Sequence, residues 1–268
     1  MKKKWKKFLT DWLPPKLRLL LNRNRNVIWS GDYKSWNEAK RASAGYESSI
    51  IFDKVLKASI KVKNGHAVYE RDSVLFGNIE YSWPLLSGIL WIAGRNHNSL
   101  GVLDFGGSLG SSYFQNRNFL SHLTEFRWCI VEQKEFAQCG KKYFEDDHLH
   151  FYETIEDCFR NENIHMALLS SVLPYMEKPY ELIEKIWNSG VRYVIIDKTP
   201  FLLSGNRDRL TVQKVPPAIY DASYPAWFFN RKKFFDFIEN RYTVIAEFDC
   251  PDQANIICEF KGFILERI

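Results

Sequence analysis

The residues best suited to ligand chemistry form a glycine-rich segment, residues 104–110, which reads Asp-Phe-Gly-Gly-Ser-Leu-Gly and directly follows an apolar run. Glycines after a strand permit positive φ angles and let a ligand approach the backbone, and the helix N-terminus beyond them offers unsatisfied N–H groups. A G-x-G-x-x-G dinucleotide loop is excluded because Phe105 stands where glycine is needed, and a phosphate loop is excluded because no lysine follows the glycines. The segment therefore predicts either a ligand loop of another type or a tight turn.

An acidic residue follows the next apolar run. Glu132 comes directly after residues 126–131 and lies 22 positions beyond Gly110, a spacing that fits one helix and one strand. An acid at the end of a second strand can accept both ribose hydroxyls of a nucleoside. The alternative is an exposed acid that opens the next helix, where negative charge is favourable. Together with the glycine-rich segment, Glu132 favours a nucleoside site.

Two further strand ends carry polar groups. Ser170 and Ser171 follow the fourth predicted strand, with Tyr175 close behind them, and Asp197 ends the fifth. Because the carboxyl ends of parallel strands meet at one edge of a sheet, we expect these side chains near the glycine-rich segment. Tyr175 and Asp197 are candidate catalytic groups. A buried structural acid is the other interpretation of Asp197.

The elements that position these residues are predicted by alternation from residue 100 onward. Short apolar runs alternate with amphipathic segments, which is typical of βαβ units and a mostly parallel sheet. The predicted strands are 100–105, 126–131, 149–152, 165–170, 191–197, 242–248 and 257–266, and the predicted helices are 110–121, 133–145, 154–160, 178–189 and 228–240. The fold class is therefore α/β, Rossmann-like, with seven strands over residues 99–268.

Two segments lie outside that alternation. Residues 26–98 predict a helical N-terminal extension or cap, with a capping box at Ser35 and helices near 36, over 47–63 and over 81–93. Residues 200–229 show no helical pattern and predict a long loop or lid, which in a compact domain is usually functional. The acceptor-binding candidates in these two segments are Tyr81, Arg209, Tyr224 and Trp227, and Asp221 is a further catalytic candidate. Aromatic faces, acids and an arginine suit a sugar, including one that bears phosphate.

Charge is unevenly distributed along the 268 residues. Residues 1–25 hold nine basic residues and one acid, a net of +8, whereas the other residues hold 28 basic and 31 acidic ones, a net of −3. The body is therefore not a nucleic-acid-binding surface. The tail carries aromatic and leucine side chains at helical spacing beside its lysines, which fits either a helix on an anionic membrane surface or one packed on its own domain.

Cysteine and histidine usage points to a reducing compartment without a metal centre. The five cysteines are odd in number and form no C-x-x-C pair, so neither a disulfide framework nor a zinc site is expected. His148 and His150 share one strand face but have no third ligand in view. With no secretion signal and no apolar run near 20 residues, we expect a cytoplasmic protein, with a peripheral position at the inner face of the membrane if the tail binds lipid.

Read together, these segments resemble a bacterial family of S-adenosylmethionine-dependent methyltransferases found among genes for lipopolysaccharide and other surface polysaccharides. The glycine-rich segment has the form D-x-G-G-x-x-G of such Rossmann-like methyltransferases. The resemblance covers residues 28–268 and is carried by 31–33, 35–36, 69–76, 81–86, 103–115, 131–133, 169–175, 196–201 and 209–229. Pro174, Lys178 and Lys198 depart from the residues expected at those positions.

The resemblance implies S-adenosylmethionine as the cofactor and a small molecule or lipid-linked glycan as the acceptor. The predicted cofactor-binding residues are Asp104, Gly106, Gly107, Ser108, Gly110, Glu132, Ser170 and Ser171. Two rival functions stay open: a non-catalytic Rossmann-like scaffold in a polysaccharide assembly complex, and a nicotinamide-dependent sugar oxidoreductase. Phe105 and the lack of a Tyr-x-x-x-Lys pair argue against the oxidoreductase.

Overall fold

The computed structural model describes residues 27–44, 48–71, 73–216 and 222–268. The basic tail and Asp221 lie outside the described residues. The strands are β1 (Ile28–Tyr33), β2 (Tyr69–Arg71), β3 (Val74–Phe76), β4 (Ser99–Phe105), β5 (Glu125–Val131), β6 (Leu149–Tyr152), β7 (Met166–Ser170), β8 (Tyr193–Leu202), β9 (Arg209–Val215), β10 (Ala222–Asn230), β11 (Tyr242–Asp249) and β12 (Cys258–Arg267). The helices are α1 (Trp36–Ala42), α2 (Ser48–Lys63), α3 (Trp83–Arg95), α4 (Ser111–Leu120), α5 (Lys134–Tyr143), α6 (Ile155–Asn161), α7 (Pro179–Asn188) and α8 (Arg231–Ile238), with a 3-10 turn at Leu173–Tyr175.

The predicted α/β fold with a mostly parallel central sheet is confirmed, and the seven predicted strands belong to a larger sheet of ten strands. Strands β6, β5, β4, β7 and β8 lie side by side in that order and run parallel. Strand β12 pairs antiparallel with β8 and with β11, which completes the seven. The strand bounds agree with the predicted ones within two residues, except that β8 continues to Leu202.

Residues 200–229 do not form the long loop that the sequence predicts. Strands β9 and β10 occupy most of it and pair antiparallel, and the end of β10 runs parallel to the end of β8. Pro225 weakens the strand signal because proline cannot donate to a ladder, yet it lies opposite Val212 in this pair. The segment therefore extends the sheet at the edge where β4, β5 and β7 end.

The expectation that residues 30–95 are all helical is also wrong. Helices α1, α2 and α3 are present as predicted, and the Ser35 hydroxyl accepts from the Glu38 backbone N–H at 3.2 Å. Strand β1, however, pairs antiparallel with β9, and β2 and β3 form a separate hairpin. Residues 28 and 214 are partners in that pairing, and such a distant partner leaves no local periodicity in the sequence.

The central strands are buried on both faces, which explains their nearly continuous apolar sequences. Val102 of β4 packs in the cluster that includes Leu85 and Ile89 of α3, whereas its neighbour Leu103 packs with Leu182 of α7 on the other face. The carboxyl edge of the sheet therefore rests on a core fixed from both sides. None of the helices that the structure describes is long and apolar enough to cross a membrane.

Candidate functional site

A cavity of about 830 Å³ opens where β4, β5 and β7 end. The predicted site residues that line it are Gly106, Ser108, Glu132, Ser170, Ser171, Tyr175 and Tyr224. A smaller cavity of about 190 Å³ shares part of this lining and also touches Asp104, Gly107 and Lys198. The structure thus brings the glycine-rich segment, the acid after β5 and the serines after β7 to one place, as the strand ends predict.

The glycine-rich loop has the backbone that its sequence predicts at two positions. Gly106 has a φ of 72° and Gly110, just before α4, has a φ of 100°. Ser108 between them is also left-handed, with a φ of 54°, a conformation that is strained for a residue with a side chain. Gly107 is needed for a different reason, because a Cβ there would lie 2.5 Å from Oδ2 of Asp104.

Asp104 is buried beneath this loop, with 1% of its surface exposed. Its Oδ2 accepts a hydrogen bond from the Trp128 indole N–H at 2.9 Å. Burial raises the pKa of the Asp104 carboxyl from 3.8 to about 7, although the Trp128 hydrogen bond opposes that shift. Trp128 was missed as a site residue, but positions 102 and 128 are register partners, so Trp128 and Asp104 share a face of the sheet.

Replacing Asp104 with asparagine should change how stability depends on pH. The folded-state pKa lies above the unfolded value, so the folded protein binds more protons between about pH 4 and pH 7, and the wild type loses stability as pH rises through that window. Between about pH 5 and pH 8, the unfolding free energy of Asp104→Asn should fall by about 2 kcal/mol less than that of the wild type. Urea titrations at the two pH values measure this difference. The exposed Asp147→Asn serves as control, and a wild-type pH dependence in Asp104→Asn would contradict the assignment.

Glu132 links the second strand end to the glycine-rich loop. Its Oε1 accepts from the Ser108 backbone N–H at 3.3 Å and its Oε2 accepts from the Gln133 backbone N–H at 2.8 Å. Burial raises the pKa of the Glu132 carboxyl, with both backbone hydrogen bonds opposing the shift. The carboxylate faces the large cavity beside the loop, which is where a carboxylate could accept ribose hydroxyls.

Asp197 is buried and lines neither cavity. It is 1% exposed, and it accepts from the Ser170 hydroxyl at 3.1 Å and from the Cys250 thiol at 3.2 Å. Ser170 does line the cavity. The geometry therefore favours the buried structural acid over the catalytic interpretation of Asp197, since its contacts hold a cavity residue in place.

A chain of hydrogen bonds joins three residues that line the large cavity. The Tyr175 hydroxyl donates to Oε1 of Gln213 at 2.9 Å, and Nε2 of Gln213 donates to the Tyr224 hydroxyl at 3.1 Å. The two phenol rings meet edge to face with centroids 5.4 Å apart. The sequence does not single out Gln213, whose one signal is an amide directly after Val212 in a strand with alternating leucine and valine.

Three predicted acceptor-binding residues line neither cavity. The Arg209 guanidinium donates twice to the Gly31 carbonyl, at 2.9 and 2.8 Å, and so ties β9 to β1. The Trp227 indole N–H donates to the Met176 carbonyl at 3.1 Å. Tyr81 packs against Trp83 and Phe119 at centroid distances of 5.0 and 5.2 Å. These contacts are structural. Of the predicted acceptor-binding residues that the structure describes, Tyr224 is the one that lines the large cavity.

The histidine pair stands apart from the cavity. His148 Nδ1 lies 3.2 Å from the Phe126 carbonyl, and His150 lies 3.9 Å from Glu162. Within the described ranges, no group of three histidine, cysteine, aspartate or glutamate side chains is placed to hold a metal ion.

Comparison with known proteins finds likeness in structure only. No family model matches the chain, and no curated protein matches it in sequence. Among solved structures, it is similar to 1,6-didemethyltoxoflavin-N1-methyltransferase of Burkholderia thailandensis with S-adenosylhomocysteine, at 13% identity over 84% of this chain and 91% of that one, with a TM-score of 0.43. It is also similar to magnesium protoporphyrin IX methyltransferase of Synechocystis with S-adenosylmethionine, at 10% identity over 84% and 99% of the chains and a TM-score of 0.46.

A third similar structure is the N-terminal domain of EvdMO1, in the presence of S-adenosylhomocysteine and D-fucose. The match has 12% identity, covers 83% of this chain and 98% of that one, and has a TM-score of 0.48. At such identities and scores these likenesses support no conclusion about the site, which stands on the geometry of the chain itself.

Proposed function

We propose that the chain is an S-adenosylmethionine-dependent methyltransferase that acts on a sugar or glycan precursor of bacterial surface polysaccharide. The observation that carries the proposal is the shared cavity. The glycine-rich loop, Glu132 and the amide–phenol chain centred on Gln213 all line it. A volume of about 830 Å³ is within the range of small-molecule sites.

The residues present fit the proposed cofactor. Glu132 lines the cavity and would accept the ribose hydroxyls, and the loop backbone at Gly106 and Ser108 borders the cavity without bulky side chains. Gly107 lies against the Asp104 carboxyl, and any Cβ at position 107 would collide with it. Bound S-adenosylmethionine supplies an electrophilic methyl group on a sulfonium. The chain's part is to orient the acceptor atom against that group and to exclude water.

The lining of the cavity favours an uncharged acceptor. Its charged members among the described residues are the acids Glu70, Glu132 and Glu153, with no lysine, arginine or histidine. An anionic group would meet like charge in this partly enclosed space. The phosphate contact expected from Arg209 lacks support, because that guanidinium lies on the Gly31 carbonyl. Phenol and amide groups suit the hydroxyls of a neutral sugar ring instead.

The proposal is tested by following a radioactive methyl group. Purified protein is incubated with methyl-tritiated S-adenosylmethionine and a glycan extract of the producing organism, and the products are hydrolysed to monosaccharides. Label is expected in an uncharged methylated sugar. If the label appears only in protein, in nucleic acid or in a charged sugar, the proposed acceptor is wrong. If no methyl group is transferred to any acceptor, the result favours the non-catalytic scaffold.

The basic tail supplies a separate proposal, which is that residues 1–25 attach the enzyme weakly to anionic membrane. Val27, the first described residue, lines the cavity. Each lysine near an anionic surface contributes about 1 kcal/mol, and the attraction weakens as salt shortens the Debye length. A lipid-linked acceptor at the membrane would then lie near the site.

Liposome sedimentation tests the tail. The full chain should pellet with vesicles that contain anionic lipid and should be released by salt, whereas a chain that begins at Asn26 should stay in the supernatant. Equal pelleting of the two chains, or pelleting that ignores salt and lipid charge, would support the alternative of a helix packed on its own domain.

A further inference from the structure

Helix α1 brings a tryptophan to the large cavity from outside the βαβ units. Trp36 is the first residue of this helix, and its half-buried side chain lines the cavity. Two hydrogen bonds fix the start of the helix: the Ser35 hydroxyl accepts from the Glu38 backbone N–H at 3.2 Å, and Oε2 of Glu38 accepts from the Lys34 backbone N–H at 3.0 Å. The position of Trp36 is therefore set by its own local sequence.

The indole of Trp36 rests on a second tryptophan. The rings of Trp36 and Trp227 are stacked, with centroids 6.4 Å apart and an angle of 23° between their planes. Trp227 is itself held in place, because its indole N–H donates to the Met176 carbonyl at 3.1 Å. Trp36 lines the large cavity and Trp227 does not. Trp227 therefore supports an indole that borders the cavity.

The sheet separates Trp36 from the acid proposed to hold the cofactor. Helix α1 packs on β9 and β10, whereas Glu132 directly follows β5. Strands β8, β7 and β4 lie between β10 and β5, and since neighbouring strands are about 4.8 Å apart, β10 and β5 are separated by about 19 Å. A nucleoside bound at Glu132 therefore leaves the part of the cavity beside Trp36 to a second molecule.

The surroundings of Trp36 suit a ring with an apolar face. Val27, Met176 and Pro225 line the same cavity, and a tryptophan offers a large, rigid contact area at a low cost in conformational entropy. A sugar ring carries C–H groups on its faces and hydroxyls at its edge. When such a face packs on an indole, both apolar surfaces leave water, and the hydroxyls stay available to polar groups such as the Gln213 amide.

We infer that Trp36 is the acceptor-binding platform of the site, on which the sugar ring that receives the methyl group packs its C–H face, with Trp227 supporting the indole from behind. The inference rests on the proposed function, because it takes the second molecule in the cavity to be a sugar. Trp36 then determines specificity, since a ring whose face is interrupted by an axial hydroxyl packs less closely on a flat indole. Helix α1 thereby acquires a role in acceptor binding.

Methyl transfer from methyl-tritiated S-adenosylmethionine to the neutral fraction of the glycan extract tests the inference on the full chain. Trp36→Leu should raise the concentration of that fraction needed for half-maximal transfer about 10-fold, the size expected for one lost aromatic contact. Its calorimetric affinity for S-adenosylhomocysteine should stay within about twofold of the wild type. Trp83→Leu is the matched control, at the exposed first residue of α3 outside both cavities, and should change neither quantity.

The outcomes distinguish a failure of the inference from a failure of the proposed function. An unchanged half-maximal concentration in Trp36→Leu would show that the indole does not meet the acceptor, and an equal loss of cofactor affinity would show that it only supports the fold, so either result overturns the inference. A wild-type protein that transfers no methyl group to the neutral fraction would instead contradict the proposed function. If Trp36→Leu does not fold, Trp36→Phe keeps a smaller ring on Trp227 and should raise the half-maximal concentration about threefold; a wild-type value in Trp36→Phe overturns the inference.

Discussion

Replacing Gly107 with valine should weaken S-adenosylhomocysteine binding by about 100-fold or more while the protein stays folded. The new Cβ would lie 2.5 Å from Oδ2 and 2.6 Å from Cγ of Asp104. Asp104 cannot move aside easily, because it is buried and held by Trp128 at 2.9 Å. The loop backbone must shift instead, and overpacking of this kind costs about 1–3 kcal/mol before the loss of ligand contacts is added.

Gly77→Val is the matched control for this substitution. A Cβ at Gly77 meets no atom within 4 Å, and its φ lies outside the left-handed region. Calorimetry should therefore give wild-type affinity for Gly77→Val, and circular dichroism should show both variants folded. An affinity for Gly107→Val within about twofold of the wild type would show that the loop does not approach the ligand.

Replacing Gln213 with leucine should impair methyl transfer without affecting the cofactor. Gln213 is 5% exposed and joins Tyr175 to Tyr224 through both ends of its amide. Leucine fills similar space but removes both hydrogen bonds, which hold the two phenol hydroxyls in place, so kcat/KM for the acceptor should fall about 10- to 100-fold. The affinity for S-adenosylhomocysteine should stay within about twofold, because Glu132 and the loop are unchanged.

The control for Gln213→Leu is Asn188→Leu, at an exposed amide at the end of α7 that lines neither cavity. It should leave both the acceptor kinetics and the cofactor affinity at wild-type values. If Gln213→Leu lowers both quantities equally, the residue supports the fold rather than the acceptor, and unchanged kcat/KM would remove Gln213 from the site.

The sequence predicts those parts of the fold whose signal is local. The seven strands of the α/β core follow from short apolar runs, and the left-handed turns at Gly106 and Gly110 follow from glycine itself. The pairing of β1 with β9 was not predictable in this way, because its partners are far apart in the chain. Strand β10 was hidden by Pro225, which normally argues against a strand.

The candidate site shows the same difference between what the sequence predicts and what it does not. Residues at strand ends, such as Glu132 and Ser170, were placed correctly at the cavity because topology determines where strands end. Residues chosen by chemical type alone were not, as Arg209 and Tyr81 show. An arginine guanidinium donates to a backbone carbonyl as readily as to a ligand phosphate, and only the three-dimensional contacts distinguish the two cases.

A calorimetric comparison of S-adenosylhomocysteine with NADH on the full chain tests the central claim most directly. The cavity at the ends of β4 and β5, with Phe105 in place of a dinucleotide-loop glycine and Glu132 beside the loop, should bind one S-adenosylhomocysteine per chain and should not bind NADH measurably. Preferential binding of NADH would favour the sugar oxidoreductase. Binding of neither ligand would contradict the assignment of this edge of the sheet as a cofactor site.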